Sequence, residues 1–377
     1  MENFFEIDDL VKVAKRENNN KRNYLYVNPI QGKHVPVSPS AAVELFTYLA
    51  RKLENRYAGK RILVIGFAET ATAIGSLIAY EANNVKYYMN TTREDVSGAE
   101  YLFFTESHSH ATEQRLVKNH LQEVIKNVDC IIFAEDEVTT GNTIEKLINV
   151  LTDEFECSNC QFGIISILNS MSEERLEQLW SKGILCDFIH KIPAQYHAEE
   201  IKSYTYKALE ITINEQIRNN YKRICVGNYW NSRVVIETAV MKERVDHFVA
   251  ETLKNIAWLE ETETVLVLGT EEFMFPAMLM GKSLEERYSN IEVKFHATTR
   301  SPIEISDEKS YPLHDRRPLI SLYEDERHTF IYNLRKYDQV IVVTDAGVIN
   351  ETGLCSLLAA LEDADNMNIM VIQWRDE

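Results

Sequence analysis

The sequence predicts an α/β protein of two tandem domains, each a mainly parallel twisted sheet flanked by helices, the second a degenerate copy of the first. Three observations carry this reading. Apolar runs of strand length alternate with stretches of 3.6-residue apolar periodicity, the pattern of parallel sheets with helices on both faces. At 377 residues the chain exceeds one ordinary core. It also repeats itself: "KRILVIGFAETATAIGSLIAYEANNVKYYMNTTRE" at 60–94 is echoed by "ETVLVLGTEEFMFPAMLMGKSLEERYSNIEVKFHATTRSP" at 263–302.

The elements follow in order. A lead-in, "YLYVNPIQGKHVPVSPSAAVELFTYLARKL", precedes a first apolar strand ending at Ile65, and "GFAETATAIG" is a small-residue turn into an apolar helix. A second strand ends at Met89 before "TTR"; a long loop, 91–114, leads to an expected helix over "EQRLVKNHLQEVI". A third strand ends at Phe133 in "IIFAEDEVTTGNTIE", followed by the amphipathic "IEKLINVL". The second copy matches each part, with "RICVGNYWNSRVVIETAVMKERVDHFVAETL" as its lead-in and "YDQVIVVTDAGVINETGLCSLLAAL" opposite "VDCIIFAEDEVTTGNTIEKLINVL". The expected boundaries are an N-terminal extension 1–19 and domains 20–203 and 204–377.

Charge and composition narrow the function. A net charge of −18, from 40 Lys and Arg against 58 Asp and Glu, argues against nucleic acid or an anionic membrane as partner. No apolar stretch approaches the ~18 residues needed to cross a bilayer. The start "MENFFEIDDLVKVAKRENNNKR" has neither a basic n-region nor an apolar h-region, so a cytoplasmic protein is expected. Cys157 and Cys160 form a CxxC, but no second Cys/His pair stands near at zinc-ligand spacing, and reduced thiols are expected.

In parallel sheets ligands bind outside the carboxyl ends of the strands, which puts the chemistry at "EDEVTTGNT". Backbone N–H groups of Val138, Thr139, Thr140, Gly141, Asn142 and Thr143, at a helix N-terminus, suit a phosphate. The turn lacks the Walker lysine and the GxxxxGK spacing. Glu135 and Asp136 need another partner: vicinal hydroxyls, as on a ribose, or a magnesium ion held directly or through water.

"IIFAEDEVTTGNT" resembles the signature of type I phosphoribosyltransferases, with Glu for the usual first Asp and Asn142 for the usual second Gly. The resemblance implies that Glu135 and Asp136 hold the ribose of phosphoribosyl pyrophosphate and that residues 139–143 hold its 5-phosphate. It also implies a pyrophosphate loop at Ala68, Glu69, Thr70 and Ala71, with a non-proline cis peptide at Ala68–Glu69 or Glu69–Thr70. The segment 91–114 matches the family's mobile hairpin, with Arg93 on pyrophosphate and His108 and His110 near the leaving group or the incoming base. Lys33 and His34 fall where the family places a hood over the base.

Over nearly its full length the chain resembles a bacterial family of orotate phosphoribosyltransferase-like proteins encoded among tellurium-resistance genes and joined to a domain named for its "TRSP" motif, here Thr299–Pro302 in "HATTRSPI". This implies magnesium-dependent transfer of a 5-phosphoribosyl group to a small nitrogenous acceptor in nucleotide metabolism, with release of pyrophosphate. The alternative is a non-catalytic sensor of the same fold. The second copy replaces "EDEVTTGNT" by "TDAGVINETG" and is expected not to bind phosphoribosyl pyrophosphate, while Arg300 is either a ligand contact or an ion-pair residue. Both a homo-oligomer and an internal pseudo-dimer fit this scheme.

Overall fold

The computed structural model describes residues 5–17, 19, 22–104, 114–208, 213, 221–256 and 262–376. The chain divides into two compact units: the first holds residues 46–196 and 230–244, the second residues 1–45, 197–229 and 245–377. This partition replaces the contiguous boundaries 20–203 and 204–377. Nor is 1–19 a detached extension, because Lys12–Lys15 pairs antiparallel with Tyr24–Val27 and Arg16 bridges Ile303 in the second unit.

The first unit is built on a six-stranded sheet in the order Ile236–Glu237, Val85–Asn90, Ile62–Gly66, Cys130–Val138, Gln161–Asn169 and Leu185–Lys191. All neighbours are parallel except the antiparallel edge pair of Ile236–Glu237 with Val85–Asn90. Ile62–Gly66 is buried along its whole length, as a central strand covered on both faces requires. The Asn142–Glu154 helix buries Ile144, Leu147, Ile148 and Leu151, one stripe at helical spacing. Its loop partner differs from expectation. Residues 115–117 form a strand paired antiparallel with Tyr101–Phe103, and only Leu121–Ile125 is helical. His120 breaks the expected continuous helix with a left-handed φ of 63°.

The second unit has a five-stranded, wholly parallel sheet in the order Lys222–Val226, Ile369–Trp374, Gln339–Thr344, Thr264–Gly269 and Glu292–Ala297. Leu266, Val340, Val342, Leu357 and Val371 belong to its core. An antiparallel pair, Arg316–Ile320 with His328–Tyr332, comes between the second and third repeated strands in chain order, as the pair Tyr101–Phe103 with Arg115–Val117 does in the first copy. No helix among the described residues is long and apolar enough to cross a membrane.

Sheet register confirms the repeat and explains the unexpected partition. Gly66 stands between Asn90 and Ala134, and Gly269 between Ala297 and Val343. Against this frame part of each copy's lead-in lies on the other copy's sheet: Ile236 is opposite Tyr88, and Val37 bridges Phe295, while residues from 46 and from 245 onward return to their own copy's unit. In the first unit Asn90 N–H donates to the Ser232 carbonyl (2.7 Å), Asn90 Nδ2 to Ser232 Oγ (3.0 Å), and Thr238 Oγ1 to the Val85 carbonyl (2.8 Å). Trp230 packs on Tyr88, ring centroids 5.8 Å apart.

A chain ending at residue 203 leaves the Val85–Asn90 edge bare, which favours edge-to-edge association. It is expected to aggregate or to melt without cooperativity, whereas the full chain melts cooperatively; calorimetry and sedimentation of the two would check this.

Candidate functional site

Gly66, Asn90 and Ala134 lie side by side at the carboxyl edge of the first unit's sheet. The loops that follow them therefore leave from adjacent strands. The third strand runs on past Phe133, where an end was expected, to Val138, because Gln161–Asn169 continues to pair with it after the central strand has stopped. Glu135, Asp136 and Glu137 are half-buried strand residues, and Val138, expected in the anion turn, is buried in register with Asn169.

The turn proper begins at Thr139. Thr139, Thr140, Asn142 and Thr143 are exposed, and Gly141 takes φ 68° as the N-cap of the helix. Glycine suits this left-handed position and brings no side chain to cap the helix end. Asn142 N–H donates to Thr140 Oγ1 at 3.3 Å. From the Glu173–Ser181 helix, Arg175 donates to the Thr140 carbonyl (2.9 Å) and to Asn142 Oδ1 (3.2 Å). Sequence reading missed Arg175, since a helix arginine carries no local mark of a contact 35 positions away.

Glu135 has its proton affinity raised well above the ordinary carboxylate range, first by burial and then by the charge of Asp136. Asp136 Oδ1 accepts the Glu137 N–H at 2.8 Å. Two carboxylates held this way favour a partner that brings positive charge or hydroxyl donors.

The turn after the central strand holds a non-proline cis peptide at Ala68–Glu69, at the expected place. Ala68 N–H donates to Thr91 Oγ1 (2.9 Å), its carbonyl accepts from Gln114 Nε2 (2.8 Å), and Thr72 Oγ1 donates to the Glu69 carbonyl (3.3 Å). A Cβ on Gly66 would stand 2.9 Å from Tyr88 Oη and 3.1 Å from the Ala71 carbonyl, so only glycine lets the turn close here. Ala68, Glu69 and Ala71 are buried and Thr70 is half-buried. Arg93 is half-buried, and its carbonyl accepts from Arg115 at 3.4 Å; Arg115 also donates to Asp95 at 2.6 Å. His108 and His110 lie outside the described residues.

Lys33 and His34 are not part of this site. Both are buried in the second unit, where Lys33 Nζ donates to the carbonyls of Glu271 (2.7 Å) and Thr298 (3.0 Å). By register their counterparts in the first unit are Ser232 and Arg233, from the other lead-in. Only the spacing of the two lead-ins could have hinted at this, and spacing does not reveal which sheet a segment joins.

The matching strand ends of the second unit are filled by the protein itself. Asp345, at the register position of Asp136, accepts hydroxyl hydrogen bonds from Tyr229 and Tyr323, each at 2.7 Å. Arg300, at the position of Arg93, donates to Glu271 (2.7 Å) and Glu272 (3.4 Å) and is 10% exposed; Arg327 reaches Glu271 at 3.1 Å. Ser321 Oγ adds a bond to Glu271 at 2.5 Å. Arg300 is thus paired with two glutamates in this network, while its Nη1 is buried without a hydrogen-bond acceptor among the described residues. Among the described residues no group of three or more His, Cys, Asp and Glu is arranged to hold a metal ion, and burial pushes the Cys157 thiol up to about 11.

Residues 10–192 match the family described as phosphoribosyl transferase, and residues 233–361 match the TRSP domain that lies C-terminal to it. No curated protein was found to be similar. Among solved structures, the Giardia lamblia APRTase complexed with 9-deazaadenine is 10% identical over 48% of this chain and 94% of that one, with a TM-score of 0.35. The Trypanosoma brucei adenine phosphoribosyl transferase with AMP, pyrophosphate and ribose-5-phosphate is 12% identical over 48% and 76%, with a TM-score of 0.35. The Aeropyrum pernix orotate phosphoribosyltransferase is 12% identical over 48% and 87%, with a TM-score of 0.29.

Two substitutions are expected to move stability in opposite directions. A raised carboxyl favours folding below its ordinary value near pH 4.3 and loses that contribution as pH rises through the folded value, so Glu135 is a burden at neutral pH. Glu135→Gln should raise the melting temperature by about 2–4 °C at pH 7, with the gain vanishing below pH 4. Arg300→Ala leaves buried carboxylates short of a cation and should cost about 3 kcal/mol in denaturant unfolding.

Proposed function

We propose, from the premise that the chain belongs to the phosphoribosyl transferase family with a TRSP domain C-terminal to it, that it transfers a 5-phosphoribosyl group from phosphoribosyl pyrophosphate to a nitrogen of a small nucleobase-like acceptor. The observation that carries this reading is one sheet edge: a carboxylate pair and an anion turn end one strand, and a tight small-residue turn ends its neighbour.

In this reading the amides and hydroxyls of Thr139–Thr143 take the 5-phosphate, and Asp136 and Glu135 accept hydrogen bonds from the ribose 2- and 3-hydroxyls. The turn at Ala68–Ala71 presents its backbone to the pyrophosphate, with Arg93 neutralising it from the next strand. As the bond from C1 to pyrophosphate breaks, positive charge grows on the ribose, and the carboxylates that hold the ring stabilise it. The acceptor nitrogen forms the new bond to C1, and its proton leaves to solvent or to a basic side chain such as His108 or His110. Most of the rate then comes from positioning and from excluding water.

The donor set also fits magnesium. Asp136 and Glu135 repel one another, a repulsion that a divalent cation removes, and magnesium is commonly held by one or two carboxylates with the rest of its shell from phosphate and water. When bound it supplies Lewis-acid neutralisation of the departing pyrophosphate.

Incubating the chain with magnesium, pyrophosphate and a panel of nucleoside monophosphates is expected to yield phosphoribosyl pyrophosphate and a free base from one class of them. Asp136→Asn should cut this turnover by about 100-fold or more while leaving the melting temperature within a few degrees. Tight binding of phosphoribosyl pyrophosphate without turnover on any acceptor would instead identify a sensor, and a fully active Asp136→Asn would remove that residue from the scheme.

A further inference from the structure

The helix that starts the anion turn carries a carboxylate in its own first turn. Glu145 lies three positions after Asn142, and its N–H donates to the Gly141 carbonyl at 2.9 Å. An acidic side chain there stabilises an empty helix end, but it opposes a second anion arriving at the same amides. The structure meets Glu145 with two cations: Arg175 Nη2 at 2.6 Å from Oε2, and Lys182 on the other oxygen. Their bonds, Lys182 first and Arg175 second, hold its carboxyl below the usual range, so it is ionised at neutral pH.

Arg175 does more than pair. Its guanidinium gives three bonds to one segment, to the Thr140 carbonyl, Asn142 Oδ1 and Glu145, and a longer one to Gln178 Oε1 on its own helix (3.4 Å). The backbone of Arg175 is itself fixed, since its N–H donates to Ser172 Oγ at the helix cap (3.1 Å). The pair is mostly shielded, with side-chain exposures of 17% for Arg175 and 19% for Glu145, so solvent screens it less than an open surface bridge.

We propose that Arg175 is a positioning residue of the 5-phosphate turn, fixing the Thr140–Asn142 backbone and cancelling the Glu145 charge so that a dianion can bind. This rests on the phosphoribosyl reading of the site. Arg175 need not touch the substrate; it acts through the turn and through Glu145.

The test is a charge cycle on the full chain, read by calorimetric binding of phosphoribosyl pyrophosphate and of inorganic phosphate, by KM and kcat, and by melting temperature. Arg175→Gln is expected to weaken binding and raise KM by about tenfold with kcat changed less than about threefold. Glu145→Gln alone should bind the same or more tightly, because Arg175 then faces the phosphate uncompensated. Arg175→Gln with Glu145→Gln should recover most of the lost affinity, a rescue that a purely structural role would not give. Unchanged binding in Arg175→Gln, weaker binding in Glu145→Gln, or no rescue in the folded double variant would overturn the proposal. If Arg175→Gln does not fold, Glu145→Gln and the charge-preserving Arg175→Lys decide it: lysine keeps the cation but not the forked bonds to Thr140 and Asn142, so it should lose less than the roughly tenfold expected of Arg175→Gln, and a loss of about tenfold or more counts against charge cancellation. Wild-type chain that binds neither ligand would sink the phosphoribosyl reading together with this inference, whereas normal wild-type binding with an indifferent Arg175→Gln would sink the inference alone.

Discussion

A carboxylate at the buried end of a sheet strand must find donors, and the rest of this structure is arranged around how that demand is met. Removing an ionised group from water without a partner is costly enough that it either takes up a proton or is surrounded by donors. In the second unit the donors are internal: Tyr229 and Tyr323 on Asp345, Arg300, Arg327 and Ser321 on Glu271. In the first unit Glu135 answers by a raised proton affinity. One copy surrounds its carboxylates with tyrosine, arginine and serine donors of its own, and the other shifts the proton affinity of Glu135 instead.

The correspondence between the copies gives that contrast its content. Two tyrosine hydroxyls stand on Asp345, whose register counterpart Asp136 shares the ribose hydroxyls with Glu135 in the proposed reading. Two glutamates stand on Arg300 where it puts pyrophosphate on Arg93. The backbone is unusual at the same position in both copies: a cis bond follows Ala68, and Glu271 takes φ 49°. Lys33 fills the space between the first and second strand ends of the second unit, and its register counterpart Ser232 is too short to do the same.

Much of this was legible in the sequence because strand and helix periodicity, the internal repeat and the acidic turn are local patterns. The cis bond, found at Ala68–Glu69, was expected only through the family resemblance, which also allowed Glu69–Thr70, whereas the two mainly parallel sheets follow from those patterns. The helix expected over 113–125 did not, because pairing of Arg115–Val117 with Tyr101–Phe103 overrides a helical pattern. The third strand outran Phe133 for a similar reason: its length is set by a neighbour. Lys33 and His34 lie in the second unit because their segment bridges to that sheet through Val37 and Phe295, and no residue type encodes which sheet a segment reaches. Arg175 was invisible since its role exists only across the fold.

The exchange of lead-ins also bears on how such a chain can change over time. After a duplication, a spare copy ordinarily decays as a whole or is deleted. Here the copy without the acidic pair supplies residues 230–244, including the edge strand Ile236–Glu237, to the unit of the copy that has it, and its own unit takes in residues 1–45 in return. The second half is therefore free to abandon its own chemistry but not to disappear, and mutations that drift in its interior are filtered by what they do to its opening stretch. Two repeats tied in this way are inherited as one unit.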